Sequence, residues 1–281
     1  MILVDMNQVT ISNLMIQIKE EPLSEDLVRH MVLNSLRSYK TKFSKDFGEL
    51  VLCYDDKYCW RKDYFPYYKQ NRKKARSESS LNWNELFDIL TKIQNELEEN
   101  FPYKVLKING AEADDIIAIL SNKISSTPNL YEEILIISGD KDFIQLHQKE
   151  NIKQYSPTLK KYVVDTNPEH YKFEHIIRGD KGDGVPNVLS QDTVFVEDLR
   201  QRPITKKKLT EWKENGIPEG EIKRNYQRNK TLIDFDSIPN ELGELIYNKW
   251  VDKITQKDKS KILPYFMKHR LKELTEKLGD F

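Results

Sequence analysis

Four short apolar runs, at residues 2–4, 50–54, 104–108 and 134–137, stand too far apart to pair through hairpins. Near-continuous apolar character over so few residues is the mark of a strand buried on both faces. Parallel strands need a crossover of a dozen or more residues, usually a helix. The intervening segments supply it. Ser24 can cap a helix opening with Glu25 and Asp26, with Leu27, Met31 and Leu33 or Leu36 turned inward. Leu86, Ile89, Leu90, Ile93 and Leu97 recur at helical spacing until Pro102 forbids continuation. Ile116, Ile117 and Leu120 follow a cluster of acids. The expected fold is therefore α/β, a mostly parallel central sheet flanked by helices. Runs at 152–155 and 161–164, split by SPTLKK, predict a hairpin. Strand character fades after about residue 165 and Lys-rich helical segments take over. This divides the chain into a core over 1–175 and a smaller, mainly helical part over 176–281, whose stretch from 190 to 230 is polar and broken by Gly and Pro.

The runs end on carboxylates. Asp5 closes the first and Asp55 the second; Asp140 and Asp142 follow the fourth in IISGDKDF. Glu112, Asp114 and Asp115 open a helix in GAEADDIIAIL, and Asp180 and Asp183 lie in RGDKGDGVP. Each alone reads as a cap or turn residue. Together these nine acids collect at the carboxyl ends of parallel strands, where open sheets bind ligands. Such a cluster cannot ionise without cations. Oxygen donors with no His or Cys nearby in sequence favour Mg²⁺ or Mn²⁺ over zinc. Mg²⁺ takes few carboxylates directly, so nine suit two ions, the arrangement that serves phosphodiester cleavage. None of the five His residues joins a constellation in the sequence.

Residues 57–76, KYCWRKDYFPYYKQNRKKAR, hold eight basic side chains against the single acid Asp63. Tyr58, Trp60, Tyr64, Phe65, Tyr67 and Tyr68 are interleaved. Lys and Arg contact phosphates and aromatic faces stack on unpaired bases, so the window predicts single-strand binding beside the acidic groove. Arg61, Lys62, Tyr68, Lys69, Arg72, Lys73, Lys74 and Arg76 are its expected contacts, with Lys181 in the GDKGD turn. The whole chain hides this polarity, because its 45 basic and 45 acidic residues balance. Cys53 and Cys59 are too few for a disulfide framework and fit a reducing cytosol. No apolar run reaches the roughly 18 residues of a membrane span, and MILVDMNQ lacks the basic and apolar regions of a signal peptide.

In this order, ILVDMN, LCYDD, WRKDYFPYYKQNRKKARSES, EADDIIA, IISGDKDFIQLH, GDKGDGVP and LIDFDSIP resemble the structure-specific 5′-nuclease (flap endonuclease) family over nearly the whole chain. The resemblance implies a PIN-like core, a phage origin and a host-cytoplasmic monomer. It implies a first metal cluster of Asp5, Asp55, Glu112, Asp114 and Asp115, and a second of Asp140, Asp142, Asp180 and Asp183. Lys69 and Arg72 resemble the basic pair that approaches the scissile phosphate, which with Asp5, Asp55 and Asp140 makes up the expected catalytic set. Residues 57–80 resemble a helical arch that passes a 5′ strand, and 177–200 a helix–turn–helix-like element that grips duplex. The implied substrates are DNA and RNA–DNA hybrids with a 5′ single-stranded flap or end. The implied partners are a phage single-stranded-DNA-binding protein and a sliding clamp. The acidic N-terminal extension used for clamp contact is missing here, so that contact is not carried over. Many members follow the GDxxD acids with a Gly-Ile-Gly turn that holds a duplex phosphate through a potassium ion; VPNVLSQDTVFVED lacks it. Two rival readings are a phosphatase of the haloacid dehalogenase type, disfavoured because Asn7 stands where its second Asp belongs, and a non-catalytic junction-binding replication protein.

Overall fold

Residues 1–17, 23–252 and 258–281 are described in a computed structural model. All four apolar runs are strands, β1 (Ile2–Asp5), β2 (Leu50–Tyr54), β3 (Lys104–Lys107) and β4 (Ile134–Ile137). The expected hairpin is present as β5 (Ile152–Ser156) and β6 (Lys161–Val163). The six strands run in the order β3-β2-β1-β4-β5-β6, parallel except for β6. Strand order reverses between β1 and β4, so the crevice at their carboxyl ends is the topological switch point of the sheet.

Period-2 alternation sends Ile2, Val4, Leu50 and Leu52 to one face and Leu3, Val51 and Cys53 to the other. The first face is covered by α1 (Met6–Gln17), α2 (Glu25–Phe47) and, beyond the short α3 (Arg61–Tyr64) and α4 (Asn71–Ser77), by α5 (Trp83–Asn100). Ser24 caps α2 as expected, its hydroxyl accepting from Leu27 N at 3.2 Å. The second face is covered by α6 (Ala113–Ser126) and by the 3₁₀ turn Lys141–Gln148 that carries Phe143 and Leu146. The helix α1 follows β1 without a break, with Asp5 accepting from Gln8 N at its start.

The later helices are α7 (Pro168–Arg178), α8 (Lys206–Asn215), α9 (Glu221–Ile233), α10 (Asn240–Asp252), α11 (Ile262–Lys268) and α12 (Lys272–Thr275). Ile176, Leu232 and Ile233 form a small core with Cys59, Phe65 and Tyr68 of the basic window. Trp212 and Leu209 pack on Ile177 and Val188 in another. The segment from Phe235 onward does not stay with this helical part. Phe235 and Ile246 join the α6 face, while Phe266 and Phe281 join the α2–α5 face. The helix–turn–helix-like element expected over 177–200 is not helical past Arg178; residues 181–200 form successive turns. Buried amides hold those turns instead. Asn225 Nδ2 donates to Val188 O at 3.0 Å, Asn229 Nδ2 to Pro186 O at 2.8 Å, and Asn187 Nδ2 to Arg202 O at 2.7 Å. No described helix is long and apolar enough to cross a membrane.

Candidate metal and nucleic-acid site

The carboxyl ends of β1, β2 and β4 and the start of α6 bring the acids into one crevice. Asp5 is 3% exposed and accepts from Gln8 N at 3.1 Å and Ser138 Oγ at 2.9 Å. Asp55 accepts from Asn7 Nδ2 and from Ala113 N, each at 2.8 Å. Asp140 accepts from Asp142 N at 3.0 Å, which starts the 3₁₀ turn and sets the spacing of the pair in IISGDKDF. Burial first, then the charges of Asp55 and Asp140, push Asp5 up to about 7. Burial and Asp142 push Asp140 up to about 6. Asp114 is driven well above the carboxylate range by burial, Asp5 and Asp140. Asp55 is raised by burial against the pull of Lys69. Asp180 is raised by burial and by Asp183 and Asp142. Burial and mutual repulsion thus act together on these acids in the shared crevice.

Other acids in the crevice have partners. Glu112 lies near Arg61 Nη1 (3.0 Å) and Lys69 Nζ (2.6 Å). Burial alone would raise it; Lys69 and Arg61 outweigh burial and hold it at about 2. Asp115 is fully buried, 2.8 Å from Arg61 Nη2, and accepts from Trp60 Nε1 at 3.2 Å and Glu112 N at 3.0 Å. Its Oδ2 accepts from the helix start, Trp60 and Arg61, and the Arg61 guanidinium lies beside Oδ1, so Asp115 faces Arg61 here. Asp183 is ion-paired with Arg72, and the Tyr68 hydroxyl donates to it at 2.7 Å. Lys69, at φ 57, donates its amide to Asp183 O at 2.7 Å. Its ammonium is favoured despite burial by Asp183 and Glu112.

The basic window divides. Arg61 is 3% exposed and Tyr68 4%, and both point into the acidic crevice or the core, so neither is placed to meet a nucleic acid. Arg61 Nε donates to Leu232 O at 2.8 Å, tying the window to α9. Lys62, Lys73, Lys74 and Lys181 are exposed. Lys74 pairs with Asp198, and the Arg76 guanidinium lies over Trp83 and Phe87. Tyr58 and Tyr64 keep about half their surface free, whereas Phe65 is buried. Asp56, beside Asp55, accepts from Gly110 N at 3.2 Å and so belongs to a local turn.

Sequence reasoning missed His175. It lies on α7, and its Nε2 is 3.2 Å from Asp142 Oδ1 and 3.7 Å from Asp180 Oδ2. One donor atom from each of these three residues lies within 4.8 Å of the others. Burial disfavours its charge, but Asp142 and Asp180 outweigh burial and raise it. The GDKGD motif itself, which begins four residues downstream, was the available signal that α7 ends at the crevice.

The donor set fits divalent cations. Carboxylates buried at a switch point, raised by one another and short of cationic partners, are stabilised when metal replaces protons.

Comparison with known proteins agrees. The family described as "5'-3' exonuclease, N-terminal resolvase-like domain" matches residues 22–176, and "T4 RNase H, C terminal" matches 166–281. The ribonuclease H of Enterobacteria phage T4 is 36% identical over an alignment covering 99% of this chain and 95% of that protein. The chain belongs to the 5′-3′ exonuclease family. It is a metal-dependent nuclease, a hydrolase of phosphodiester bonds. A 5′-3′ exonuclease of Buchnera aphidicola is 30% identical over 51% of this chain and 49% of its own length. The fold is shared with the T5 5′-exonuclease solved with zinc, at a TM-score of 0.61, 17% identity and coverage of 90% of this chain and 97% of that one. A T5 flap endonuclease solved with DNA and metal ions aligns at a TM-score of 0.62 and 17% identity, over 89% and 96%.

Proposed function

We propose that the protein is a Mg²⁺-dependent 5′-to-3′ exonuclease and 5′-flap endonuclease with ribonuclease H activity. It removes RNA primers and adjacent DNA during lagging-strand replication and leaves 5′-phosphate and 3′-hydroxyl ends. The observation that carries this reading is the convergence of Asp5, Asp55, Asp114 and Asp140 from the ends of β1, β2 and β4 and the start of α6 on one crevice beside a basic window. Asp5, Asp55, Asp114 and Asp140 would hold one ion, and Asp142, Asp180 and Asp183 a second. When bound, such a pair activates water and offsets charge on the phosphoryl and leaving oxygens.

The chain's own residues bind, orient and neutralise. Ser138 and Gln8 fix the Asp5 carboxylate, and Asn7 with the Ala113 amide fixes Asp55. Each acid is thereby presented in one orientation, which limits reorganisation during the reaction. Asn7 donating to Asp55 also argues against the haloacid dehalogenase alternative, whose chemistry needs a carboxylate there. Lys69 and Arg72, resting on Glu112 and Asp183, stand where they can turn to a phosphate and neutralise growing negative charge. Lys62, Lys73, Lys74 and Lys181 contact the strand backbone, and Tyr58 and Tyr64 offer faces to unpaired bases. A phage single-stranded-DNA-binding protein is the expected partner, the host cytoplasm the location and a monomer the working unit.

The deciding experiment is cleavage of 5′-labelled flap, nicked and RNA–DNA hybrid substrates with Mg²⁺ and with chelator. Mg²⁺-dependent release of short 5′ products supports the proposal. Tight junction binding with no turnover in Mg²⁺ or Mn²⁺ would favour the non-catalytic reading.

A further inference from the structure

His175 is held as firmly as the acids it faces. Its helix α7 packs against the Lys141–Gln148 turn that bears Asp142. One helical turn earlier, Tyr171 stacks on its ring, with centroids 5.6 Å apart and planes 12° from parallel. Gly179 ends the helix at φ 66 and donates its amide to His175 O. A Cβ on Gly179 would lie 2.3 Å from Val185 O, so only glycine allows the sharp return that aims Asp180 back at His175. At the meeting point Nε2 is shielded from solvent and makes no hydrogen bond. Its 3.2 Å approach to Asp142 is charge proximity without hydrogen-bond direction.

Two carboxylates and an unpaired imidazole nitrogen aimed at one point form a mixed nitrogen and oxygen donor set. Mg²⁺ takes oxygen ligands and retains its waters, whereas imidazole suits Zn²⁺, Fe²⁺ and Ni²⁺; Mn²⁺, though an oxygen-preferring ion, holds its waters less tightly than Mg²⁺ and accepts an imidazole nitrogen. The geometry points to His175 Nε2 as a direct ligand of the ion held by Asp142 and Asp180, making this subsite select a nitrogen-tolerant first-row cation over Mg²⁺. The two halves of the crevice are then chemically unlike. Asp5, Asp55, Asp114 and Asp140 offer oxygen only and suit the hard ion. This inference rests on the nuclease reading for the presence of a metal, and it adds which metal goes where.

The test uses the full chain, without nucleic acid, loaded with Mn²⁺ and examined by pulsed electron paramagnetic resonance. The wild type should show the ¹⁴N coupling of a manganese-bound imidazole. His175→Ala and His175→Gln should lose it while still binding Mn²⁺ at the oxygen-only subsite. In calorimetric titrations those variants should lose about tenfold or more in Mn²⁺ affinity at one subsite, with Mg²⁺ affinity changed by less than about threefold. A wild-type spectrum without nitrogen coupling at saturating Mn²⁺ would overturn the assignment, whatever the variants do. So would a coupling that survives removal of His175. Mg²⁺-dependent flap cleavage alongside an absent nitrogen coupling would sink this inference alone. Nitrogen coupling with no cleavage of any substrate would sink the proposed function and leave the ligand in place.

Discussion

The acidic crevice has two sides that use the same residue type for opposite ends. On one side Glu112, Asp115 and Asp183 are matched by Arg61, Lys69 and Arg72, and Glu112 is held at about 2. On the other, Asp5, Asp55, Asp114 and Asp140 make no ion pair at 4 Å or less among the described residues and crowd one another, and Asp5 rises to about 7. On the matched side the ion pairs offset burial and keep Glu112 ionised, and they tie the basic window to the core. The unmatched side destabilises the metal-free fold. A chain bearing that burden without a catalytic or binding use would gain stability by replacing those acids, as commonly seen where function requires a strained site. Position along the sheet does not separate the two sides; the supply of cations does.

Substitutions on the two sides should therefore behave oppositely. Asp140→Asn should reduce cleavage by about a thousandfold or more, the scale of losing a principal transition-state contact. Its melting temperature in chelator should not fall. Flap cleavage and a thermal melt check both parts, and a lowered melting temperature would erase the contrast. Arg61→Ala should destabilise by about 3–5 kcal/mol, because Asp115 and Glu112 are left buried without their partner. Denaturant unfolding reads this directly. Lys69→Ala should slow the single-turnover step by about a hundredfold while substrate affinity changes far less. An unchanged rate at saturating enzyme would confine Lys69 to its structural ion pair.

The contrast also predicts a pH dependence. Asp5 rises from 3.8 to about 7 and Asp140 to about 6 on folding. The unfolded chain loses these protons first, so the native state binds more of them over that interval. Stability in chelator should then fall as pH rises from about 4 to 7, and level off above. Divalent cation favours the ionised forms, so its stabilising effect should be larger at pH 8 than at pH 5. Melts at several pH values, with and without Mg²⁺, would show whether the unmatched side behaves as described.

How much of this was legible in the sequence follows from range. The strands announced themselves because an apolar run and its turn residues are local, and their parallel sense followed from long crossovers, whereas the strand order was not legible. The acids were legible because strand ends in a parallel sheet must converge. Direction was not. Arg61, Tyr68 and Lys69 lie within one basic, aromatic window, and nothing local says that Arg61 turns to Glu112 and Asp115 while Lys62 faces solvent. Asp115 looked like its neighbour Asp114, yet it lies one helical position further round and meets Arg61 instead of Asp5. His175 was missed because Asp142 is 33 residues earlier and is joined to it only by the fold, although its nearness to the GDKGD motif was a local hint. The return of Phe266 and Phe281 to the α2–α5 face was likewise hidden, since an apolar helix stripe does not say which surface it meets.

The bonds at the foot of the basic window carry a mechanical consequence. Lys69 N holds Asp183 O, Asn71 Nδ2 holds Lys181 O at 2.6 Å, and Arg72 Nε holds Gly182 O at 3.1 Å. Three rungs join two stretches of chain more than a hundred residues apart, so a pull on either is felt by the other. A nucleic-acid strand that tugs this foot will drag the 181–183 loop with it, and with that loop the Asp183 carboxylate. On the proposed function, grip on a strand and the placing of Asp183 are therefore mechanically joined through these three bonds.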